Sequence, residues 1–340
     1  MHWTVMAPFF KTDVVGKTVW IDDFVPTGQH SFTKIFKKDN LPSHNWHTRI
    51  SRNTQFAEWH SFWLQSGDAW RGNRGGCITV FPQLAAMVGL RKMFSKRTTP
   101  VVAWCFNVGM FYPGIKKILA RSVLENIDKF IVHSKRECDT VSSWLNINKN
   151  RFEFIPLQRG PIQITEEEEF DNPFILSMGS ANRDFKTLFY AVQKLGIRTI
   201  VVAKKSVIQN LNVPPNVEIL TGLTINECRC LSQKAVMNIV PLFDSPTASG
   251  QVTIVEAMRM NRAVIATRCV GSEDYISHNK TGLLVEPNSV DDLTSAINQL
   301  WVDSEKRNVI AITAGKYAEK HFSDEMAGRK LEYILNQLCR

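Results

Sequence analysis

The sequence of 340 residues holds no run of eighteen or more apolar residues, so no segment reads as a membrane span. Its opening, MHWTVMAPFF, lacks a basic region before the apolar stretch and a small-residue cleavage site, so it does not read as a signal peptide and a cytoplasmic location is expected. Cysteine is sparse and odd in number, seven residues without a repeated C-x-x-C spacing, which excludes a disulfide framework and suits reduced thiols. Cys228 and Cys230 point to different sides of a helix, the pattern of packing residues rather than of a zinc pair. No G-x-G-x-x-G follows a strand, which argues against a nicotinamide dehydrogenase. Val15-Gly16-Lys17-Thr18 ends like a P-loop, but Lys11 stands where its first Gly belongs. Walker A is therefore rejected, and Gly16 is kept as a candidate cleft-loop glycine of an N-terminal domain. No internal repeat or low-complexity tract occurs.

Against these absences stands an ordinary globular composition, 44% hydrophobic and 21% charged, at a length that suits two domains. The net charge of +9 is unevenly spread: residues 1–160 carry 22 basic against 11 acidic residues, and 161–340 carry 19 against 21. The first half, at +11, is suited to an anionic membrane surface, a diphosphate or nucleic acid. No zinc-finger, RNA-recognition or helix-turn-helix signature supports the last, and no nucleic-acid partner is expected. Candidate membrane-facing groups are Lys34, Lys37 and Lys38, then Arg91, Lys92, Lys96 and Arg97, with Trp59, Trp63 and Trp70 as interfacial aromatics.

From Cys77 onward, short β-branched or aromatic runs alternate with helical stretches. Strands are predicted at His2–Pro8, Cys77–Phe81, Val101–Phe106, Lys129–His133 and Phe152–Pro156. A break from Pro156 to Pro173, with an acidic run at Glu166–Glu169, reads as a linker. The pattern then restarts at Phe174–Met178, Ile197–Ala203, Val217–Leu220, Val236–Pro241, Ala263–Thr267 and Gly282–Val285. The rhythm predicts an α/β class with two doubly wound, Rossmann-like domains, 1–160 and 161–340, the last helix returning to the first.

In open α/β sheets ligands sit beyond the carboxyl ends of strands, where helix N-termini offer free amides to anions. The most informative such turn is DSPTASGQVTIVEAM, residues 244–258. Small residues let a phosphate approach the backbone, and Glu256, about one turn into the helix, can accept hydrogen bonds from two hydroxyls. That chemistry fits a ribose diphosphate. Read alone, the same residues also describe a capped helix with a solvent-facing Glu.

The longer text VPLFDSPTASGQVTIVEAM, AVIATRCVGSEDYI and GLLVEPNSVDDLTSAI resembles a large family of retaining nucleotide-sugar glycosyltransferases, glycosyl transferases group 1 or family 4, of the GT-B type. Weaker resemblance covers FILSMGSANRDFKTL and Val217–Leu231. The resemblance implies two Rossmann-like domains facing across a cleft. It implies that Glu256 binds the nucleotide ribose, and that Ser249, Gly250, Gln251, Val252 and Thr253 form the diphosphate turn. Gly179 and Arg183 follow the first strand of the C-terminal domain, with Arg183 the nearest match to the family's phosphate-holding cation and Ser180 where many members have Arg. Lys204 is a substitute cation, and Thr221, Gly222 and Leu223 match the nucleobase turn. The catalytic assignments are Arg183, for leaving-group stabilisation, and Asn107, nearest to the family's usual His.

Two departures matter. Position 248 is Ala where the family's E-x7-E signature has its first Glu, the residue that contacts the donor sugar. Asn261 replaces the usual Gly after the helix, and Asn enters the left-handed region readily. No D-x-D occurs, so no metal or other cofactor is expected and the helix end with Arg183 must stabilise the leaving diphosphate. The implied activity is retaining transfer of a sugar from a UDP or GDP sugar to a glycan or polyprenyl-linked acceptor, in cell-surface polysaccharide or glycolipid synthesis. The enzyme would be cytoplasmic, peripheral at the inner face of the membrane. Ala248 motivates the alternative, a non-catalytic nucleotide-binding partner subunit of the same fold.

Overall fold

A computed structural model describes residues 1–11, 18–26, 28–37, 54–72 and 75–339. The chain divides into two compact units, Met1–Ile155 with Asp324–Arg340, and Pro156–Ser323. Gly16 and Lys38 lie outside the described residues.

The first unit is built on a parallel sheet of β1 (His2–Lys11), β2 (Ser31–Lys37), β3 (Gly76–Val80), β4 (Val101–Trp104), β5 (Lys129–Val132) and β6 (Phe152–Phe154), in the order β2-β1-β3-β4-β5-β6. Its central strands are continuous apolar runs because both faces are covered. Along β4, Val101 and Ala103 enter one core with Phe62, Leu84, Val88 and Val141, whereas Val102 and Trp104 enter another. The period of two along the strand thus feeds two cores in alternation. The first core is roofed by α1 (Phe56–Gly72), α2 (Pro82–Met93), α3 (Ile115–Leu124) and α4 (Lys135–Leu145).

The second unit repeats the plan with β7 (Ile175–Met178), β8 (Thr199–Val202), β9 (Val217–Leu220), β10 (Met237–Val240), β11 (Ala263–Thr267) and β12 (Leu283–Val285), ordered β12-β11-β10-β7-β8-β9, all parallel. Its helices are α5 (Phe185–Leu195), α6 (Lys205–Ile208), α7 (Ile225–Lys234), α8 (Gln251–Arg259), α9 (Val290–Val302) and α10 (Ser304–His321). The strand order reverses between β7 and β10, so the connections leaving these neighbours diverge and open a crevice at their carboxyl ends. The last helix, α11 (Asp324–Leu338), packs Ala327, Leu331, Ile334 and Leu335 into the second core of the first unit. Gly328 lets it approach the single turn Ile21–Phe24, since a Cβ there would lie 2.2 Å from the Phe24 carbonyl oxygen.

The strand positions expected from sequence are occupied: β9 and β11 have the expected ends, β1 runs on to Lys11, β3 begins one residue earlier at Gly76, and the others are trimmed at one or both ends. Two elements are additional: β2 and α1 lie where no periodicity was legible. Asn261 follows α8 with φ 53°, the left-handed conformation expected of a residue standing in for Gly.

Most of the cations proposed to meet a membrane are engaged within the first unit. Lys34 pairs with Asp22 at 3.3 Å and with Asp23, and donates to the Thr18 carbonyl. Lys37 is buried. The Arg91 guanidinium lies 3.6 Å over the Trp63 ring and donates to Ser66 Oγ, and Lys92 pairs with Asp128 at 2.6 Å. Arg97, though exposed, donates to the Trp70 carbonyl, while Trp59 and Trp70 pack against the first core. Of these groups Lys96 alone is exposed and makes no such contact among the described residues. Pairing and packing within the first unit thus engage most of this group, Lys96 excepted, while Trp63 remains 40% exposed.

Candidate functional site

At the second unit's reversal point, two connections meet. The one after β7 runs through Gly179, with φ 113°, to Arg183, which forms an isolated antiparallel bridge with Leu242 beyond β10. Asn182 donates from Nδ2 to the Phe243 carbonyl at 2.9 Å and to Ser249 Oγ at 3.2 Å, tying the two connections together. The second connection ends in Gly250, the N-cap of α8, at φ 86° and ψ −13°. A side chain there would be strained, and a Cβ would press within 3.0 Å of Val240 and 3.1 Å of Leu242. Gly250 brings no side-chain acceptor, so no side-chain cap occupies the first amides of α8. That is the arrangement in which a helix N-terminus is open to an anion.

Arg183 lies beneath this turn rather than on its open face. It is 7% exposed, donating through Nε to the Met178 carbonyl at 3.0 Å, through Nη1 to the Ala181 carbonyl at 2.9 Å, and through Nη2 to Thr253 Oγ1 at 3.2 Å. Gly179 makes room for it, since a Cβ there would lie 2.5 Å from Nη2. Burial pushes its pKa down to about 10, so the guanidinium stays charged at neutral pH. It is a positioning residue that fixes the β7 connection to the first turn of α8.

Glu256 stands one helical turn after the exposed Val252, on the same face of α8. Its carboxylate is held by Arg229 Nη2 of α7 at 3.1 Å and by Arg159 Nε at 3.4 Å. Neither arginine was singled out from sequence. Arg229 sits between Cys228 and Cys230, free thiols on α7, and Arg159 falls in the stretch read as a linker. The remaining expected residues lie along the same carboxyl edge. The Lys204 amide, after β8, donates to Ser180 Oγ at 2.9 Å, so Ser180 joins two connections where a cation was expected of other sequences. Gly222, after β9, has φ 75°, and Leu223 packs on the small core of Leu176 and Val202. Ala248 is buried against Gly271, whose added Cβ would lie 2.9 Å from the Ala248 methyl and from Gln251 Nε2.

In the first unit, Asn107 follows β4 and accepts at Oδ1 from the Gly109 amide at 2.9 Å. Next to it Cys105 has φ 52°, and Phe81, after β3, has φ 74°. His133, after β5, is buried, its ring nitrogens 2.7 Å from the Ile155 carbonyl and 3.1 Å from Cys105 Sγ.

Residues 174–303 match the family model of glycosyl transferases group 1. The chain carries a group 1 glycosyltransferase domain. That domain covers the β7 connection, the turn before α8 and Glu256, and the enzyme class is glycosyltransferase. No curated protein matches the sequence. Among solved structures, this glycosyltransferase is similar to sucrose-phosphate synthase from Thermosynechococcus elongatus, with 14% identity, a TM-score of 0.69 and coverage of 99% of each chain. It is similar to Anabaena HepE in complex with UDP-glucose, with 13% identity, a TM-score of 0.68 and coverage of 100% of this chain and 99% of that one. It is also similar to the catalytic domain of starch synthase IV from Arabidopsis thaliana bound to ADP and acarbose, with 11% identity, a TM-score of 0.72 and coverage of 100% and 99%. These likenesses establish the GT-B fold.

Proposed function

We propose that the chain transfers a sugar, with retention of anomeric configuration, from a nucleoside diphosphate sugar to a hydroxyl of a glycan or polyprenyl-linked acceptor in cell-surface polysaccharide or glycolipid synthesis. The observation that carries the reading is the pairing of the uncapped α8 N-terminus with Glu256 on the same helix. The diphosphate would lie on the amides of Gln251, Val252 and Thr253, and Glu256 would accept the ribose hydroxyl hydrogens. Lys204 and the Gly222–Leu223 turn would extend the site toward the base. Arg183 would act through Thr253, keeping the first turn of α8 aimed at the phosphates.

In this reading the bond from the anomeric carbon to the diphosphate oxygen breaks as the acceptor oxygen bonds to the same face of that carbon. The acceptor proton passes to the departing phosphate. The helix end stabilises the charge that develops on that phosphate, and no side-chain nucleophile is assigned. UDP and GDP sugars are the donors that the resemblance favours, and HepE is bound to UDP-glucose. A thermal-shift panel of UDP, GDP, ADP and their sugars tests the donor site, because a ligand at one hundred times its Kd stabilises by about 2.7 kcal/mol. One nucleotide is expected to raise Tm well above the others, and a flat panel would remove the proposal.

The charge stabilisation assigned to the helix end requires no metal-binding D-x-D. Transfer is therefore expected to continue at an unchanged rate after EDTA treatment. An absolute requirement for Mg²⁺ or Mn²⁺ in a radiolabelled-sugar assay would overturn that assignment. Among the described residues no helix is long and apolar enough to cross a membrane. A lipid-linked acceptor would have to be met by reversible attachment to an anionic surface.

A further inference from the structure

The helix α3 has two unlike faces. Ala120, Val123 and Leu124 turn inward onto the core beneath α2 and α4, and a Cβ on Gly89 of α2 would lie 2.2 Å from the Val123 carbonyl oxygen. The backbones of α2 and α3 therefore touch, and α3 is seated firmly. Its other face carries Ile115, Ile118 and Leu119, at the i, i+3, i+4 spacing of one helical stripe, and these are 73%, 63% and 61% exposed. Met110, in the connection leading to the helix, is a further exposed aliphatic. Around the stripe stand Lys116, Lys117 and Arg121, and α3 contains no acidic residue. Beside it, a depression of about 560 Å³ is lined by Lys117, Arg121, Ser122 and Ser143, with Glu125 as its single carboxylate.

We propose that this face of α3 docks on an anionic lipid bilayer, Ile115, Ile118 and Leu119 entering the headgroup boundary while Lys116, Lys117 and Arg121 meet lipid phosphates. The depression between α3 and α4 would receive one headgroup, with Lys117, Arg121 and the Ser143 hydroxyl as donors to its phosphate, since Ser122 Oγ already donates to the Ile118 carbonyl at 3.0 Å. Charge decides the occupant: a helix with basic flanks, in the half of the chain that holds 22 basic against 11 acidic residues, is complementary to an anionic surface. Size points the same way. A stable protein interface takes about 800 Å² and some twenty residues a side, far more than three aliphatic side chains supply. Docking here also brings the connection holding Asn107 close to lipid, a consequence that rests on the polyprenyl-acceptor reading, whereas the docking itself does not.

The test is flotation of the full chain with vesicles of phosphatidylcholine alone and of phosphatidylcholine with phosphatidylglycerol, across a salt series. Binding is expected only with the anionic vesicles, weakening as salt shortens the Debye length. The variant Lys116→Gln, Lys117→Gln, Arg121→Gln should lower partitioning roughly a hundredfold, at about fivefold per charge. Ile115→Ser, Ile118→Ser, Leu119→Ser should lower it more than about tenfold with an unchanged Tm, because the replaced side chains are already exposed. A charge-neutralised set at Arg91, Lys92 and Lys96 should bind as the parent does. Equal binding to both vesicle types, or none to either, overturns the proposal. So does a concentration-dependent dimer in sedimentation velocity that the serine variant abolishes, which would make a second copy the occupant. Nucleotide thermal shifts on the same variants read the donor site separately, so failure of docking and failure of the transferase reading are distinguishable.

Discussion

Arg183→Ala is expected to destabilise the second unit by about 2 to 4 kcal/mol, because two carbonyls and a hydroxyl lose a charged donor inside the protein. Met178, Ala181 and Thr253 are the partners left unpaired. Nucleotide affinity should fall with stability, since the guanidinium is the tie between the β7 connection and the first turn of α8. Arg183→Lys should recover little of either, for one ammonium on a flexible stem cannot span three acceptors held by a planar fork. Urea denaturation measures the first effect and calorimetry with the preferred nucleotide, below the melting range, the second. A variant with parental stability would show that the guanidinium is not that tie, and full recovery by lysine would show that charge alone is needed.

The second large effect is expected at Glu256. Its replacement by alanine should weaken binding of the preferred nucleotide by about 2 to 4 kcal/mol, or roughly 30- to 1,000-fold in Kd, through loss of charge-assisted hydrogen bonds to the ribose. The fold should survive, because the carboxylate lies at the sheet's edge and its partners Arg159 and Arg229 are themselves partly exposed. Those two cations would then face each other without a counter-charge. Affinity for inorganic pyrophosphate, which has no ribose, should accordingly hold or rise in the same variant. Unchanged nucleotide affinity in a folded protein would mean that Glu256 serves only to bind the two arginines. Equal losses for nucleotide and pyrophosphate would mean that the substitution had disturbed α8.

How much of this could be read from the sequence depended on where each residue type is buried. Central parallel strands such as Val101–Trp104 and Ala263–Thr267 are covered on both faces, and so they appear as unbroken apolar runs. The helix α1 was illegible for the opposite reason. It buries Glu58, Ser61, Gln65 and Ser66 beside Phe62 and Ala69, and Gln65 donates to the carbonyls of Ala7 and Ile35, so polar residues interrupt the apolar stripe of the inward face. The edge strand β2, SFTKIFK, mixes charge with aromatic residues in the same way. At the site, Gly250 and Glu256 were legible because a small-residue turn and a carboxylate one turn into a helix occur in one stretch. Arg159 lies 97 positions before Glu256 in the chain (256 minus 159), and only the fold brings it to the carboxylate. The burial of Arg183 likewise depends on Gly179 and Thr253 together, which no local pattern announces.

Because α11 completes the first unit, that unit cannot close until the end of the chain has been made. The second unit, Pro156–Ser323, is a continuous segment placed between the two parts of the first. On a ribosome its sheet can close as soon as its own residues have emerged, whereas Trp3, Val5, Ile78 and Trp104 must wait for Leu331, Ile334 and Leu335. The later domain in the reading direction is thus able to finish first. Until the last helix arrives, the nascent first sheet exposes an oily face, and it is in that interval that a chaperone has something to hold.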